Sequence, residues 1–172
     1  GITIIHAQPY YFNEVYNLSD TWSAGLSITA SEDGFMACGI SGTASGLYGI
    51  VLLSLDNEGV PVDTVFFSSG QAHLYPGSNG SFKKHDSTGY FLYGSKDPAG
   101  VSDYGLFIRF DSEGDTLFSK TYLPTNSTML IGRTSLLSSD KGYLLTGDEF
   151  IYGDENSNVS IIKVDSLGTE LW

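Results

Sequence analysis

Short apolar runs separated by turn residues dominate this chain. Gly49-Ile-Val-Leu-Leu53, Phe91-Leu-Tyr93 and Ser160-Ile-Ile-Lys-Val164 are typical. The residues are the β-branched and aromatic types that suit a pleated surface. No long stretch carries a helical period. The runs do not alternate apolar with polar, as a strand buried on one face would. Strands inside sheets that are covered on both sides account for that pattern.

The runs recur. Asp33-Gly-Phe-Met-Ala-Cys-Gly39, Thr88-Gly-Tyr-Phe-Leu-Tyr-Gly94 and Lys141-Gly-Tyr-Leu-Leu-Thr-Gly147 align, with their first glycines 55 and 53 residues apart. A second set follows each: Leu53-Ser-Leu-Asp-Asn-Glu-Gly59, Ile108-Arg-Phe-Asp-Ser-Glu-Gly114 and Ile162-Lys-Val-Asp-Ser-Leu-Gly168. A third set is Asp63-Thr-Val-Phe66, Asp115-Thr-Leu-Phe118 and Thr169-Glu-Leu-Trp172. Each unit reads as four strands, in the first unit near residues 23–31, 35–40, 48–56 and 62–67.

Turn chemistry explains the invariant positions. A third and a fourth strand that reverse within a few residues need an acceptor and a flexible residue. Asp56, Asp111 and Asp165 accept backbone hydrogen bonds two residues on. Gly59, Gly114 and Gly168 take the positive φ of a short hairpin. These six are assigned structural turn roles. Gly39, Gly94 and Gly147 stand at strand ends, where a bulge or a close backbone approach is expected.

A four-stranded antiparallel unit of roughly 50 residues is the pattern of a propeller blade. WD40 units are shorter and carry a Trp-Asp pair that this chain lacks. Kelch blades carry paired glycines where this chain has single ones. Lys163-Val-Asp-Ser-Leu-Gly-Thr-Glu-Leu-Trp172 resembles most closely the kelch-like or delta-60-like repeats of secreted bacterial β-propeller proteins. The likeness covers residues 23–172. The first unit departs from it at Val60-Pro61-Val62 and at Ser54, where Lys163 stands in the third. The resemblance implies an all-β, partial propeller of about three blades, the N-terminal piece of a larger protein. It divides the chain into a signal-peptide remnant (1–7), an N-terminal strand (8–22) and units at 23–77, 78–130 and 131–172. Phe12-x-x-x-Tyr16 mirrors Phe118-x-x-x-Tyr122, so the N-terminal strand reads as the outer strand of a ring-closing blade.

Composition sharpens this picture. The chain has 172 residues, 21 of them glycine, and charged residues make up 16%. Low charge suits sheets buried on both faces. The net charge of −12 argues against nucleic acid, whose binders present a basic face. No apolar stretch reaches the roughly 18 residues of a membrane-spanning helix. Ile2 to Ile5 followed by His6-Ala7-Gln8 fits the end of a secretory leader cleaved after Ala7. Secretion or the outer cell surface is the expected location.

Candidate chemistry is sparse. The usual hydrolase, phosphate and dinucleotide signatures are missing. His73 and His85 read as surface or turn residues, and Cys38 as a small hydrophobe in a strand. No residue is assigned a catalytic, metal or cofactor role. The second-to-third-strand loops, at 41–47, 95–103 and 148–156, are the variable positions on one edge. Ligand-binding candidates there and nearby are Tyr75, Asp97, Asp148, Glu149, Tyr152, Asp154 and Glu155. Asp148 to Asn156 is oxygen-rich enough to raise calcium, although it does not follow the EF-hand pattern. Asn17, Asn79, Asn126 and Asn158 lie in Asn-x-Ser/Thr sequons. The expected function is a non-catalytic binding or adhesion scaffold for a glycan or protein at the cell surface. A carbohydrate-active propeller enzyme and a structural spacer are the alternatives.

Overall fold

A computed structural model describes residues 16, 22–78, 80–85, 88–98, 103–124, 129–151 and 156–172. The expected leader (1–7) lies outside the described residues, as does all of the expected N-terminal strand (8–22) apart from Tyr16 and Trp22.

The protein is all-β, with three antiparallel sheets of four, five and three strands, none of them closed. The first sheet runs β1 (Ser23–Ala30), β2 (Gly34–Gly42), β3 (Tyr48–Asp56), β4 (Pro61–Phe67), in that spatial order. In the second, β5 (His73–Pro76) and β6 (Phe82–Lys84) both pair with β7 (Tyr90–Asp97), which is followed by β8 (Tyr104–Phe110) and β9 (Thr116–Tyr122). The third holds β10 (Met129–Leu137), β11 (Tyr143–Phe150) and β12 (Ser157–Val164). A single bridge, Val164 to Glu170, begins a further strand there. The described residues form a row of sheets and no ring, so the architecture is established at that coarser level.

Two apolar seams hold the sheets together. Met36, Cys38, Ile50 and Leu52 of the first sheet meet Tyr90, Leu92, Ile108 and Phe110 of the second. Phe91, Tyr93 and Phe107, on the opposite face of that second sheet, meet Tyr143, Leu145 and Val164 of the third. Successive residues of β7 therefore enter different seams, which is why its run is apolar throughout. Leu92, Phe107 and Ile108 are fully buried. Each such side chain contributes about 1.5–3 kcal/mol of burial free energy.

The repeated glycines have a packing reason. A Cβ on Gly39 would stand 2.5 Å from the Ala24 carbonyl oxygen, and one on Gly147 would stand 2.4 Å from that of Ile131. Beside each, the first strand of the sheet slips register, between Gly25 and Ser27 and between Gly132 and Thr134. In the second sheet the first strand is in two pieces, β5 and β6, instead of carrying a slip. Pro76 has no N–H to donate, and Gly77 packs against the Arg133 carbonyl, where a Cβ would have 2.3 Å. The sequence pattern of four strands per unit does not anticipate this break.

Candidate functional site

Antiparallel pairing brings two kinds of chain end to opposite edges of the sheets. One edge carries the Asp-x-x-Gly hairpins. Asp56 Oδ1 accepts from the Glu58 and Val60 amides, at 3.0 and 2.7 Å. Asp111 Oδ1 accepts from Glu113 and Asp115, and Asp165 Oδ1 from Leu167 and Thr169. Gly59, Gly114 and Gly168 have φ of 80°, 92° and 75°. All three carboxylates are occupied in holding turns. These bonds keep Asp165 below the usual carboxylate range, the Thr169 amide first. A cavity of about 630 Å³ also opens on this edge, lined in part by Glu32, Asp33, Asp63, Lys84 and Glu113.

The other edge carries the starts of β1, β3, β5, β8 and β10 and the ends of β2, β7 and β11. Pairings of Ser23 with Ser41, Gly42 with Tyr48, His73 with Asp97 and Lys96 with Tyr104 fix this. Four aromatic rings gather here across the first seam. Trp22 meets Tyr48 edge-on with ring centroids 5.9 Å apart. Tyr48 lies 5.0 Å from His73 and 6.0 Å from Tyr75, and His73 stacks on Tyr75 at 5.9 Å. The Tyr48 amide donates to His73 Nδ1 at 3.1 Å. Nδ1 is the acceptor in this bond, which orients the ring at the head of β5. Trp22 is 59% exposed, so the cluster opens to solvent.

Carboxylates flank the rings. Asp97 pairs across the strands with His73, and Asp103 immediately precedes β8. Burial raises the Tyr75 hydroxyl pKa, and the charges of Asp97 and Asp103 add to it. Asp103 is itself raised, by burial first and then by Asp97. The site thus combines aromatic faces with hydrogen-bond acceptors, and it carries negative potential.

Of the residues singled out from sequence, Tyr75 and Asp97 fall in this cluster. Asp148 and Glu149 stand in β11 instead, paired with Ile131 and Leu130 in the third sheet. Asp148 accepts from Arg133 Nε at 2.7 Å. Tyr152, Asp154 and Glu155 lie outside the described residues, as do Asn17, Asn79 and Asn126. No group of three His, Cys, Asp or Glu side chains among the described residues is placed to hold a metal ion. His73 heads a strand rather than a turn and is half-buried. His85 shares a 2.7 Å hydrogen bond with Thr88 and packs on Phe91 and Tyr143. Cys38 is buried in the first seam, and burial pushes its thiol up to about 12.

Sequence reasoning missed Trp22 and Tyr48, and it reached Asp103 only as the last residue of the 95–103 loop. The available signal was an aromatic ring at the head of a strand on this edge, which Tyr48 and His73 share.

Among the described residues no helix is long and apolar enough to cross a membrane. The chain is thus an all-β protein of stacked antiparallel sheets with an open aromatic site on one edge. Neither a protein family nor a curated protein matches its sequence.

Proposed function

We propose that this chain is a non-catalytic β-propeller module that serves as a binding scaffold outside the cell. The 53–55-residue repeat and its face-to-face sheets support the propeller reading. Ala7 and the apolar run before it support export. The observation that carries the binding role is the Trp22–Tyr48–His73–Tyr75 cluster at the strand-end edge. Aromatic faces stack on the apolar faces of sugar rings, and the neighbouring Asp97 and Asp103 accept hydrogen bonds from hydroxyls. A glycan is the ligand this combination fits best.

Trp22 gives a direct assay. A Trp172→Phe variant leaves Trp22 as the sole indole. Its emission is followed during titration with gluco-, manno-, galacto- and chito-oligosaccharides. The expected result is a saturable change with at least one series, weakened about tenfold or more by Tyr48→Ala. No change with any series at millimolar concentration, or a response that Tyr48→Ala leaves intact, refutes the assignment.

A further inference from the structure

The repeat puts a cation on one strand of the second and third sheets and omits it from the first. Ser54, Arg109 and Lys163 occupy the same repeat position, each two residues before the turn aspartate. In the third sheet Lys163 Nζ donates to Asp140, two residues before the repeat glycine Gly142, at 2.6 Å. In the second sheet Arg109 is buried. Its guanidinium donates to the Tyr90 carbonyl at 2.8 Å and to Thr88 Oγ1, just before Gly89, at 3.2 Å. In both sheets a cationic head therefore ties β8 or β12 to the turn that precedes the second strand of its unit.

In the first sheet the acceptors remain and the cation is gone. Glu32 and Asp33 stand two residues and one residue before Gly34, in the positions of Asp140 and Thr88. The register is the same: Met36 pairs with Ser54 as Phe91 does with Arg109 and Leu144 with Lys163. Ser54 ends at its hydroxyl, which donates to Met36 Sδ at 3.5 Å. The cavity of about 630 Å³ opens at this place, between the first and second sheets, with Ser54, Glu32, Asp33, Met36 and Tyr90 in its wall. Asp63, Glu113 and Lys84 complete its charged lining, so four carboxylates stand against one ammonium.

We propose that this cavity binds an alkylguanidinium ligand, whose head stands in for the side chain that Ser54 lacks. The head donates to Asp33 and Glu32, and the alkyl part lies against Met36 and the Tyr90 ring. A guanidinium suits the place better than an ammonium. Its planar fork serves two acceptors at once, as that of Arg109 does. The volume falls within the range of roughly 300–1,000 Å³ usual for small-ligand sites. The site is on the opposite edge from the aromatic cluster and depends on neither the glycan nor the propeller reading.

The test is isothermal titration calorimetry at constant ionic strength, with n-butylguanidinium and its neutral analogue n-butylurea. The expected result is saturable binding of butylguanidinium with a Kd of about 1 mM or tighter, and binding of butylurea at least roughly tenfold weaker. Glu32→Gln combined with Asp33→Asn, both exposed, keeps the circular dichroism spectrum and weakens binding by roughly tenfold or more. Ser54→Arg returns the guanidinium to the chain, abolishes binding and raises the thermal midpoint. Where Ser54→Arg fails to fold, the acidic pair decides. A blocked arginine-containing tripeptide that binds more tightly than butylguanidinium makes the ligand a peptide side chain, and one that binds no more tightly makes it a free guanidino compound. No saturable binding at about 10 mM, equal binding of butylurea, or an affinity that the acidic pair leaves unchanged overturns the proposal.

Discussion

Replacing Gly94 by alanine tests whether close backbone approach, rather than a need for flexibility, fixes the repeated glycines. A Cβ on Gly94 would lie 2.1 Å from the Tyr75 carbonyl oxygen and 2.9 Å from the Gly77 amide nitrogen. Both neighbours are backbone, so no side chain can swing aside. β5 must move away from β7 by roughly 1 Å to restore an ordinary contact. The two strands share four residue pairs, His73–Asp97 to Pro76–Gly94, and the clash sits at one end of that short ladder. Overpacking of this kind costs about 1–3 kcal/mol, and the backbone contact places Gly94→Ala near the upper end. Reduced unfolded-state freedom returns up to about 1 kcal/mol, leaving a net loss near 2 kcal/mol. Gly25→Ala is the control, because its Cβ would have no atom within 4 Å and its φ is not in the left-handed region. It gains the entropic term without the clash. The two variants should differ by about 3 kcal/mol. Urea unfolding followed by circular dichroism reads this as a midpoint difference of roughly 1–2 M, for a slope near 2 kcal/mol per M. Equal midpoints for Gly94→Ala and Gly25→Ala refute the packing argument.

Three further outcomes are expected. Among the described residues the buried Tyr93 hydroxyl has no hydrogen-bond partner, so Tyr93→Phe raises stability by about 1 kcal/mol in the same urea assay. Asp140 accepts from Lys163 Nζ at 2.6 Å and from the Gly142 amide, and these bonds lower its pKa to about 2. Its folded pKa lies below the unfolded value, so its contribution is present above about pH 4 and is lost as pH falls towards 2. The stability gap between wild type and Asp140→Asn should shrink over that window, and a gap that stays constant from pH 5 to 2 contradicts it. Cys38 holds on the order of a thousandfold less thiolate at pH 8 than a free cysteine, with its thiol at about 12. A thiol reagent should label it at the rate of unfolding, and prompt labelling of the native chain would show the seam to be open.

Strand positions were readable because the repeat aligns three independent examples of each motif. The run Tyr90 to Tyr93 is apolar on both faces, and that pattern carried the information that the second sheet lies between two others. The division of the second sheet's first strand was not readable. It depends on Pro76 and Gly77 acting with the Arg133 carbonyl, which is more than 50 residues away in the chain. The aromatic edge was readable in part. Tyr75 and Asp97 stood out as loop candidates, yet both belong to strands that face each other across the sheet. Trp22 and Tyr48 reach Tyr75 and His73 because the first seam brings β3 against β5, and no local pattern encodes that meeting. Glu149 and Asp148 drew attention as part of an acidic run. Their strand register gives them to the third sheet, where Arg133 takes the Asp148 carboxylate.

Among the described residues, the second sheet alone packs against another sheet on both faces. In linear arrays of units, stability is close to a sum of unit terms and nearest-neighbour terms. The outer sheets each forfeit one neighbour term when they open, whereas the middle sheet forfeits two. Opening therefore proceeds inward from the ends, with the amides of β7 and β8 the last to exchange with solvent. Every partial opening also bares a fresh apolar face, so this protein's susceptibility to aggregation and proteolysis is set by its weaker seam rather than by its global stability.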